Sequence, residues 1–582
     1  MQSFFPFLRW MPELRDRRIF WADCTAGITV AMVLVPQAMA YAELAGLPAV
    51  YGLYAAFLPP AIAALFGSSR QLATGTVATA ALISAAAVQP LAPMGSAAFI
   101  GYSFLLALMV GIMRLLMGLL RLGFIANLLS APVVVGFTNA AALIIATSQL
   151  HKVLGVPAVH GDNHVANIWA EIASAAHRGG DLATVAMACL AACVLFALKV
   201  VAPRFPNVLT AVAITSLVAW QLGYEGEMVG TIPSGLPAIN IPPIDVDAIM
   251  ELLPGAMTLV LIGLMEVMAI AKTIAMQTKE RIDINQELIG QGLANLAAGF
   301  TQSYTVSGSF SRSAINYASG ARTGFSSVVT SLVVTVTLLW FTPLFYYLPQ
   351  ATLALIIIAS VIQLIHIKPL WHAWKISRQD GCIGAATFVV TFMAAPALHW
   401  GIALGMGLSL AVNFYRTMRP HVAFLTRHLD GTLREAGVGG LQEDQQIAIM
   451  RFDGRLYFGS SSYFEDCIIE ATARAPQLRF LVVDAEGINQ MDASGEQALR
   501  GVVERLRSGG IDMYFTRAKE PLIDALERSG AMEYIGRDHF FRWNQHALEH
   551  LWARLDPTYK ARCPLNMPHP RPTGPSANEY YI

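Results

Sequence analysis

From Cys24 to Tyr415 the chain passes through one apolar run after another, separated by short polar turns. Many of the runs are about twenty residues long, which is the length of helix that crosses the hydrocarbon of a bilayer. Only 13% of the chain is charged, against roughly a quarter in soluble globular proteins. The fold class expected is therefore a polytopic α-helical membrane protein. Lys plus Arg and Asp plus Glu each number 39, so the formal net charge is zero. No global field points to nucleic acid. The six cysteines show no CxxC spacing. Cys189 and Cys193 lie one helical turn apart in an apolar run and read as core thiols. Neither a disulfide framework nor a metal site follows from this pattern. The first apolar run follows the charged stretch LRWMPELRDRR and is too long for the apolar segment of a signal peptide.

About fourteen spans fit the runs, with centres from near Val33 to near Leu408. The positive-inside rule orients them. With Arg15, Arg17 and Arg18 in the cytoplasm, alternate loops carry Arg70, then Arg114 and Arg121, then Lys272, Lys279 and Arg281, and at the end Arg416 and Arg419. The opposite loops, such as YEGEMVG and AAPALHW, are nearly free of Lys and Arg. An even number of spans returns the C-terminal part to the cytoplasm. The expected division is a cytosolic N-terminal segment over 1–22, a transport domain in the cell membrane over 23–420, a soluble domain over 445–555, and a loose Pro-rich tail over 556–582.

Two local similarities recur in the same order. PQAMAYAEL in the first span aligns with MEVMAIAKT in the eighth, placing Gln37 on Glu266, 229 residues later. ATGTVAT at the third span aligns with VSGSFSR at the tenth, placing Gly75 on Gly308, Thr76 on Ser309 and Val77 on Phe310, at an interval of 233. Seven spans separate each pair, and seven is odd. The second half is then upside down relative to the first, giving two inverted seven-helix repeats. Secondary transporters built this way hold substrate near the midplane, where short or broken helices of the two halves meet.

Both glycines lead from a short polar run into a short helix. Two facing helix N-termini offer unpaired N–H groups and positive dipole ends, a setting for an anion. In SGSFSRS, Ser309 and Ser311 add hydroxyl donors and Arg312 adds a full charge. An arginine at that depth costs about 2.5–3.5 kcal/mol on insertion scales, so it needs a partner or a polar cavity. The competing reading has Arg312 snorkelling to an interface and the serines capping or packing helices. The matching glycine segment in the other half favours the anion site.

Glu266 is the other charged residue out of place in an apolar span. Hydrocarbon disfavours a charged carboxylate, so an acid there could load and release a proton as the site alternates between faces. A static bridge to Arg312, or a sodium site using Thr273 and nearby serines, are the other readings.

The chain resembles the SulP anion transporters, the sulfate permeases. The stretches that carry the resemblance are VPQAMAYAELAGLPAVYGLYAAFLPPAIAALFGSSRQLATGT, LLSAPVVVGFTNAAALII and SGSFSRSAINYASGARTGFSS. The resemblance covers almost the whole length. It implies fourteen spans in two inverted repeats, a core domain that slides against a gate domain as an elevator, a cytosolic STAS domain and a homodimer. It places Gln37 and Tyr41, from Pro36-Gln37-x-x-Ala40-Tyr41, at the anion site. There they join Gly75, Thr76, Val77, Gly308, Ser309, Phe310, Ser311 and Arg312. Many members have Gly-Pro where this chain has Gly75-Thr76, which alters the local donors. In bacterial members an acid at the place of Glu266 is linked to cation coupling.

The C-terminal part reads as a small α/β sandwich. Its apolar strands are IAIMRFDG, RLYFG, RFLVVDAEG and IDMYFTR, with helices over about 461–473 and 494–507 and in PLIDALERSG. It resembles a STAS domain, with MDASG, Met491 to Gly495, as its hallmark. In the soluble anti-sigma antagonists a serine of the corresponding motif is phosphorylated, which makes Ser494 a candidate regulatory phosphosite. Ser494 is the serine retained here, and an N-cap or first-turn role is its plainer reading. No GxxxxGK phosphate loop is present, so no nucleotide hydrolysis is expected, and the transporter reading expects no enzymatic activity. Asp23 suits the start of the first helix. Trp371, His372 and Trp374 suit a membrane interface.

The function expected is uptake of an inorganic oxyanion, sulfate first, by proton symport through Glu266, with no cofactor beyond the coupling proton or sodium. Sodium-coupled bicarbonate uptake and proton-coupled C4-dicarboxylate uptake use the same donors and stay open. An uncoupled anion channel fits less well, since such a pore gains nothing from an acid near its site.

Overall fold

The computed structural model describes residues 5–128, 130–159, 164–178, 180–202, 206–242, 244–428 and 430–565. The chain divides into two compact units, Met1–Leu410 and Ala411–Ile582.

The first unit is helical. Seven of its described helices are long and apolar enough to cross a membrane, among them Arg17–Leu44, Ala97–Leu119 and Val246–Thr278. Shorter helices alternate with these, including Ala78–Val88 and Phe310–Ala318. Each expected span centre lies within a helix. Two amphipathic helices, His164–Arg178 and Ile367–Ile376, stand between them. The second carries the exposed Trp371 and Trp374, as an interfacial helix would.

Two bundles make up this unit. The core bundle gathers Arg17–Leu44, Val50–Phe57, Pro59–Phe66, Ala97–Leu119, Ile284–Phe300 and Phe325–Val336. The gate bundle gathers Ala131–Ser148, Leu182–Val201, Asn207–Leu222, Gln350–Ile362 and Arg378–Met393. Membrane helices gain little from the hydrophobic effect between themselves and associate through close packing of small residues. Gly111 and Gly292 do this inside the core. A Cβ on Gly111 would come within 2.6 Å of Leu296 N, and one on Gly292 within 2.6 Å of Leu115 N.

Several sequence expectations change here. The first spanning helix begins at Arg17, where the Asp16 side chain accepts from Arg18 N at 2.8 Å. Asp23 therefore does not start it. Asp23 is fully buried and holds the turn ahead of Phe325, accepting from Arg322 N at 2.7 Å and Thr323 N at 3.1 Å. Cys189 and Cys193 are exposed rather than core thiols. Arg114 is not a loop cation. It lies buried within the Ala97–Leu119 helix.

The second unit is built on a six-stranded sheet in the order Leu433–Glu435, Val422–Arg427, Ile447–Phe452, Phe480–Asp484, Asp512–Thr516, Phe540–Phe541. The first two pairings are antiparallel and the last three parallel. Parallel strands need crossovers, supplied here by Ser461–Arg474, Ala493–Ser508 and Glu520–Arg528. Phe480–Asp484 is buried on both faces, as its unbroken apolar run requires. RLYFG forms only an isolated bridge from Leu456 to Met491. The sheet starts at Val422, before the expected domain start. The hydrophobic core also extends into the expected tail: Cys563 and Leu565 pack in it beside Asn544–Ala553. Burial and the neighbouring Asp444 push the Cys563 thiol up to about 12. The rest of the expected tail, 566–582, lies outside the described residues.

Candidate anion site

The two glycine segments meet. Thr74–Gly75 pairs antiparallel with Ser307–Gly308, with Thr74 opposite Gly308 and Gly75 opposite Ser307. Each two-residue strand runs directly into a short helix, Ala78–Val88 in the first half and Phe310–Ala318 in the second. The Ser307–Gly308 strand is fixed from behind. Asn295 brackets Val306, donating to its carbonyl at 3.0 Å and accepting from its N–H at 3.0 Å. Further bonds flank the strand pair: Ser309 N donates to Ala73 O at 2.9 Å, and Ala73 N to Ser313 Oγ at 2.8 Å.

The N-termini of the two helices differ. Val77 opens the first in an extended conformation with no side-chain cap, which leaves its first N–H groups free for a ligand. Ser309 caps the second, but only through a long 3.5 Å contact to Arg312 N.

Arg312 joins these parts. It is 1% exposed, which rules out snorkelling to an interface. Its NH2 donates to Thr76 O at 2.6 Å, and its NH1 to Gln37 Oε1 at a longer 3.4 Å. Arg312 Nε and Ser307 Oγ have no hydrogen-bond partner among the described residues. A Cβ at Gly75 would stand 3.3 Å from Arg312 NH2, and Gly75 has φ +157, so both space and backbone favour glycine there. Tyr41 lies beside Arg312 and the Ser360 hydroxyl. Gln37 and Ser311 line a cavity of about 150 Å³ whose opposite wall comes from the gate through Lys199, Asn207 and Ser360. Phe310 is 55% exposed.

Glu266 meets the first turn of the Ala78–Val88 helix. Its carboxylate accepts from Thr79 Oγ1 at 3.1 and 3.3 Å. The charge that acts on it is that of Arg114, not of Arg312, so the alternative reading of a bridge to Arg312 does not hold. Arg114 is 2% exposed and donates to Val306 O at 3.1 Å and Leu259 O at 2.8 Å. Only a glycine at 263 admits it, because a Cβ there would lie 1.8 Å from Arg114 NH2. Thr273 spends its hydroxyl on Ala269 O at 2.7 Å.

Sequence reasoning missed Arg114, Thr79, Ser360 and the fully buried Tyr304, which faces Tyr41, Thr76 and Arg312. A signal existed for one of them. Alignment of ATGTVAT with VSGSFSR puts Thr79 on Arg312.

At the far end of the Arg17–Leu44 helix, Glu43 of the core pairs with Lys152 of the gate at 2.6 Å. Both side chains are nearly buried, at 10% and 13% exposure. They line a cavity of about 250 Å³ that also reaches Gln89 and His164. In the second unit, Asp492 rather than Ser494 caps the Ala493–Ser508 helix, accepting from Gly495 N at 2.8 Å. Ser494 is exposed in its first turn.

The sequence profile of the Sulfate permease family matches residues 20–387, and that of the STAS domain matches 441–547. The chain belongs to the sulfate permease family. Its relatives include "Sulfate transporter 4.1, chloroplastic" of Arabidopsis thaliana, 32% identical over 93% of this chain and 81% of that protein. Among solved structures, the murine anion transporter Slc26a9 in the inward-facing state matches with a TM-score of 0.87, over 95% of this chain and 94% of that one, at 23% identity. The transmembrane domain of a cyanobacterial bicarbonate transporter, BicA, matches with a TM-score of 0.59, over 67% of this chain and 97% of that one, also at 23% identity. At such identity these structural likenesses bear on the fold, and this sulfate permease homologue shares it.

Proposed function

We propose that this permease is a secondary active transporter that takes up an inorganic oxyanion, sulfate first, together with a proton carried by Glu266. The anion sits between the strand pair and the first helix, met by Arg312, Ser311, Gln37, Tyr41 and the uncapped N–H groups after Val77. One observation carries this reading. Arg312 is wholly buried where two helix N-termini meet, and its guanidinium reaches from the second half of the repeat to Gln37 and Thr76 of the first. A full positive charge in that position repays its burial when an anion joins it. Sulfate is favoured over other oxyanions by relatives that carry the name of sulfate transporters.

The core, which holds the strand pair and Arg312, moves against the gate in an elevator motion. The protein works in the cell membrane as a homodimer, with its N-terminus and STAS domain in the cytoplasm. Reconstitution into liposomes and uptake of labelled sulfate, bicarbonate and C4-dicarboxylates, under separate proton and sodium gradients, tests the proposal. Sulfate accumulation driven by protons alone is the expected result. Accumulation of bicarbonate driven by sodium, or flux with no dependence on either gradient, would replace it.

A further inference from the structure

At the end of the first unit that carries the N-terminal segment, a cavity of about 670 Å³ opens between four stretches of chain. Each contributes one arginine: Arg9 from the N-terminal segment, Arg70 from the turn ahead of Thr74, Arg121 from the end of the Ala97–Leu119 helix, and Arg281 from the turn ahead of Ile284. The nearby acids are already engaged. Glu13 and Glu280 both pair with Arg70, at 3.0 and 3.5 Å. Asp283 caps the next helix, accepting from Asn285 N at 2.9 Å and Gln286 N at 3.2 Å. Arg9, Arg121 and Arg281 form no ion pair among the described residues.

Two further observations bear on Arg121. Its backbone is left-handed, with φ 58, a conformation that glycine adopts at lower cost than any L-residue. The chain thus keeps an arginine in a place where its backbone is strained. Around it Leu116, Leu119, Leu120 and Phe124 are all at least half exposed. Such apolar exposure belongs against acyl chains, which puts Arg121 at the boundary between hydrocarbon and water.

We propose that this cavity binds the phosphate of an anionic lipid headgroup, drawn from the leaflet nearest the N-terminal segment. Guanidinium groups pair with phosphate through two parallel hydrogen bonds, and three unspent ones converge here. The volume lies in the range of small-molecule sites, about 300–1,000 Å³. The exposed leucines beside the mouth give the acyl chains a surface to lie on. A bound headgroup ties the N-terminal segment to the turns on either side of it. A soluble phosphate offers the same chemistry, and the test separates the two sources.

The full-length protein in detergent is titrated with short-chain phosphatidylglycerol, phosphatidylcholine or inorganic phosphate, and its Tm is followed. Phosphatidylglycerol should raise the Tm of the native protein, and the other two should not. In the double variant Arg121→Gly with Arg281→Gln, half-saturation should move to lipid concentrations roughly tenfold or more higher. Arg121→Gly alone relieves the left-handed backbone. It should therefore raise the lipid-free Tm while weakening the lipid response, a pairing that a purely structural arginine would not give. Arg121→Lys with Arg281→Lys should keep most of the response. An undiminished phosphatidylglycerol response in the double variant overturns the proposal. A Tm rise with inorganic phosphate that the double variant abolishes overturns the lipid source and assigns the cavity to a soluble phosphate.

Discussion

Thr79 and Arg312 are counterparts. Each stands four residues beyond its strand glycine, Gly75 or Gly308, in the first turn of a short helix. Each donates across to the opposite half of the repeat, Thr79 to Glu266 and Arg312 to Gln37. Gln37 and Glu266 are themselves counterparts in the sequence repeat. One contact has thus been used twice with different chemistry. One copy pairs a cation with an amide, and the other pairs a hydroxyl with a carboxylate. The first suits an anion and the second a proton.

Arg312→Ala should weaken binding of every transported anion by roughly tenfold to a hundredfold, the range for hydrogen bonds to a charged group. Arg312→Lys should recover part of the loss, since it keeps the charge without the planar fork. Isothermal titration of purified protein with sulfate measures both. Unchanged affinity in the alanine variant would remove Arg312 from the site.

Glu266→Gln should fold and bind anion, because Gln37 already shows that an amide fits the equivalent place. Thr79 Oγ1 can donate to an amide oxygen as it does to the carboxylate. Exchange of anion between the two sides should persist. Accumulation driven by a proton gradient should disappear, and uptake should lose its pH dependence. Normal proton-driven accumulation by this variant would end the proton-carrier assignment. Loss of sodium stimulation in its place would reassign the coupled ion.

Gly75→Ala should lower anion affinity without removing any charged group. The added Cβ would press on Arg312 NH2 at 3.3 Å and strain the backbone at φ +157. Binding should fall at least severalfold, while the size-exclusion profile stays that of the native protein. Equal affinity would show that the strand tolerates movement at this point.

Lys152→Gln should favour the state in which the cavity beside Gln89 is open. The Glu43–Lys152 pair joins core to gate, and the elevator motion proposed above would break it in every cycle. With Cys189, Cys193 and Cys382 replaced by serine, a cysteine introduced by Gln89→Cys should react faster with a membrane-impermeant thiol reagent when Lys152 is also changed. Identical labelling rates would mean that the pair does not hold this side shut.

Removal of the C-terminal sheet domain should leave sulfate binding intact, provided the cut falls between Met418 and Val422, after the helix His399–Met418. A cut at 445 would strand Val422–Arg427 without its neighbour Ile447–Phe452 and expose an unpaired edge prone to aggregation. Binding by the shorter protein, measured after the cut beyond Met418, checks the division of labour.

The candidate site was legible where its pattern repeats. Gly75, Gly308 and the inverted order could be read because two local patterns recurred at nearly equal spacing, and the strand pair is their physical meaning. Arg114 was not legible, because hydropathy places an arginine near a helix end in a loop. Its burial depends on a glycine some 150 residues away, Gly263. Asp23 went the same way. Local pattern makes it a helix start, whereas Asp16 takes that role and Asp23 serves a turn 299 residues on. Tyr304 lies in the polar run TQSYTVS ahead of Gly308, but its neighbours Tyr41 and Thr76 come from the other half of the chain, which no local pattern reveals. The strands before 445 were lost for a simpler reason: VAFLTR follows a long apolar helix with only a few residues between.

Because Thr74–Gly75 and Ser307–Gly308 are hydrogen-bonded to each other, the two walls of the proposed anion seat are tied together. Neither short helix can tilt without dragging the other. A seat of this kind weighs its passengers by the same scale whichever way it faces. The order in which competing anions displace sulfate should therefore be the same when measured from either side of the membrane. Direction then belongs to the surroundings of the seat, and discrimination to the seat itself.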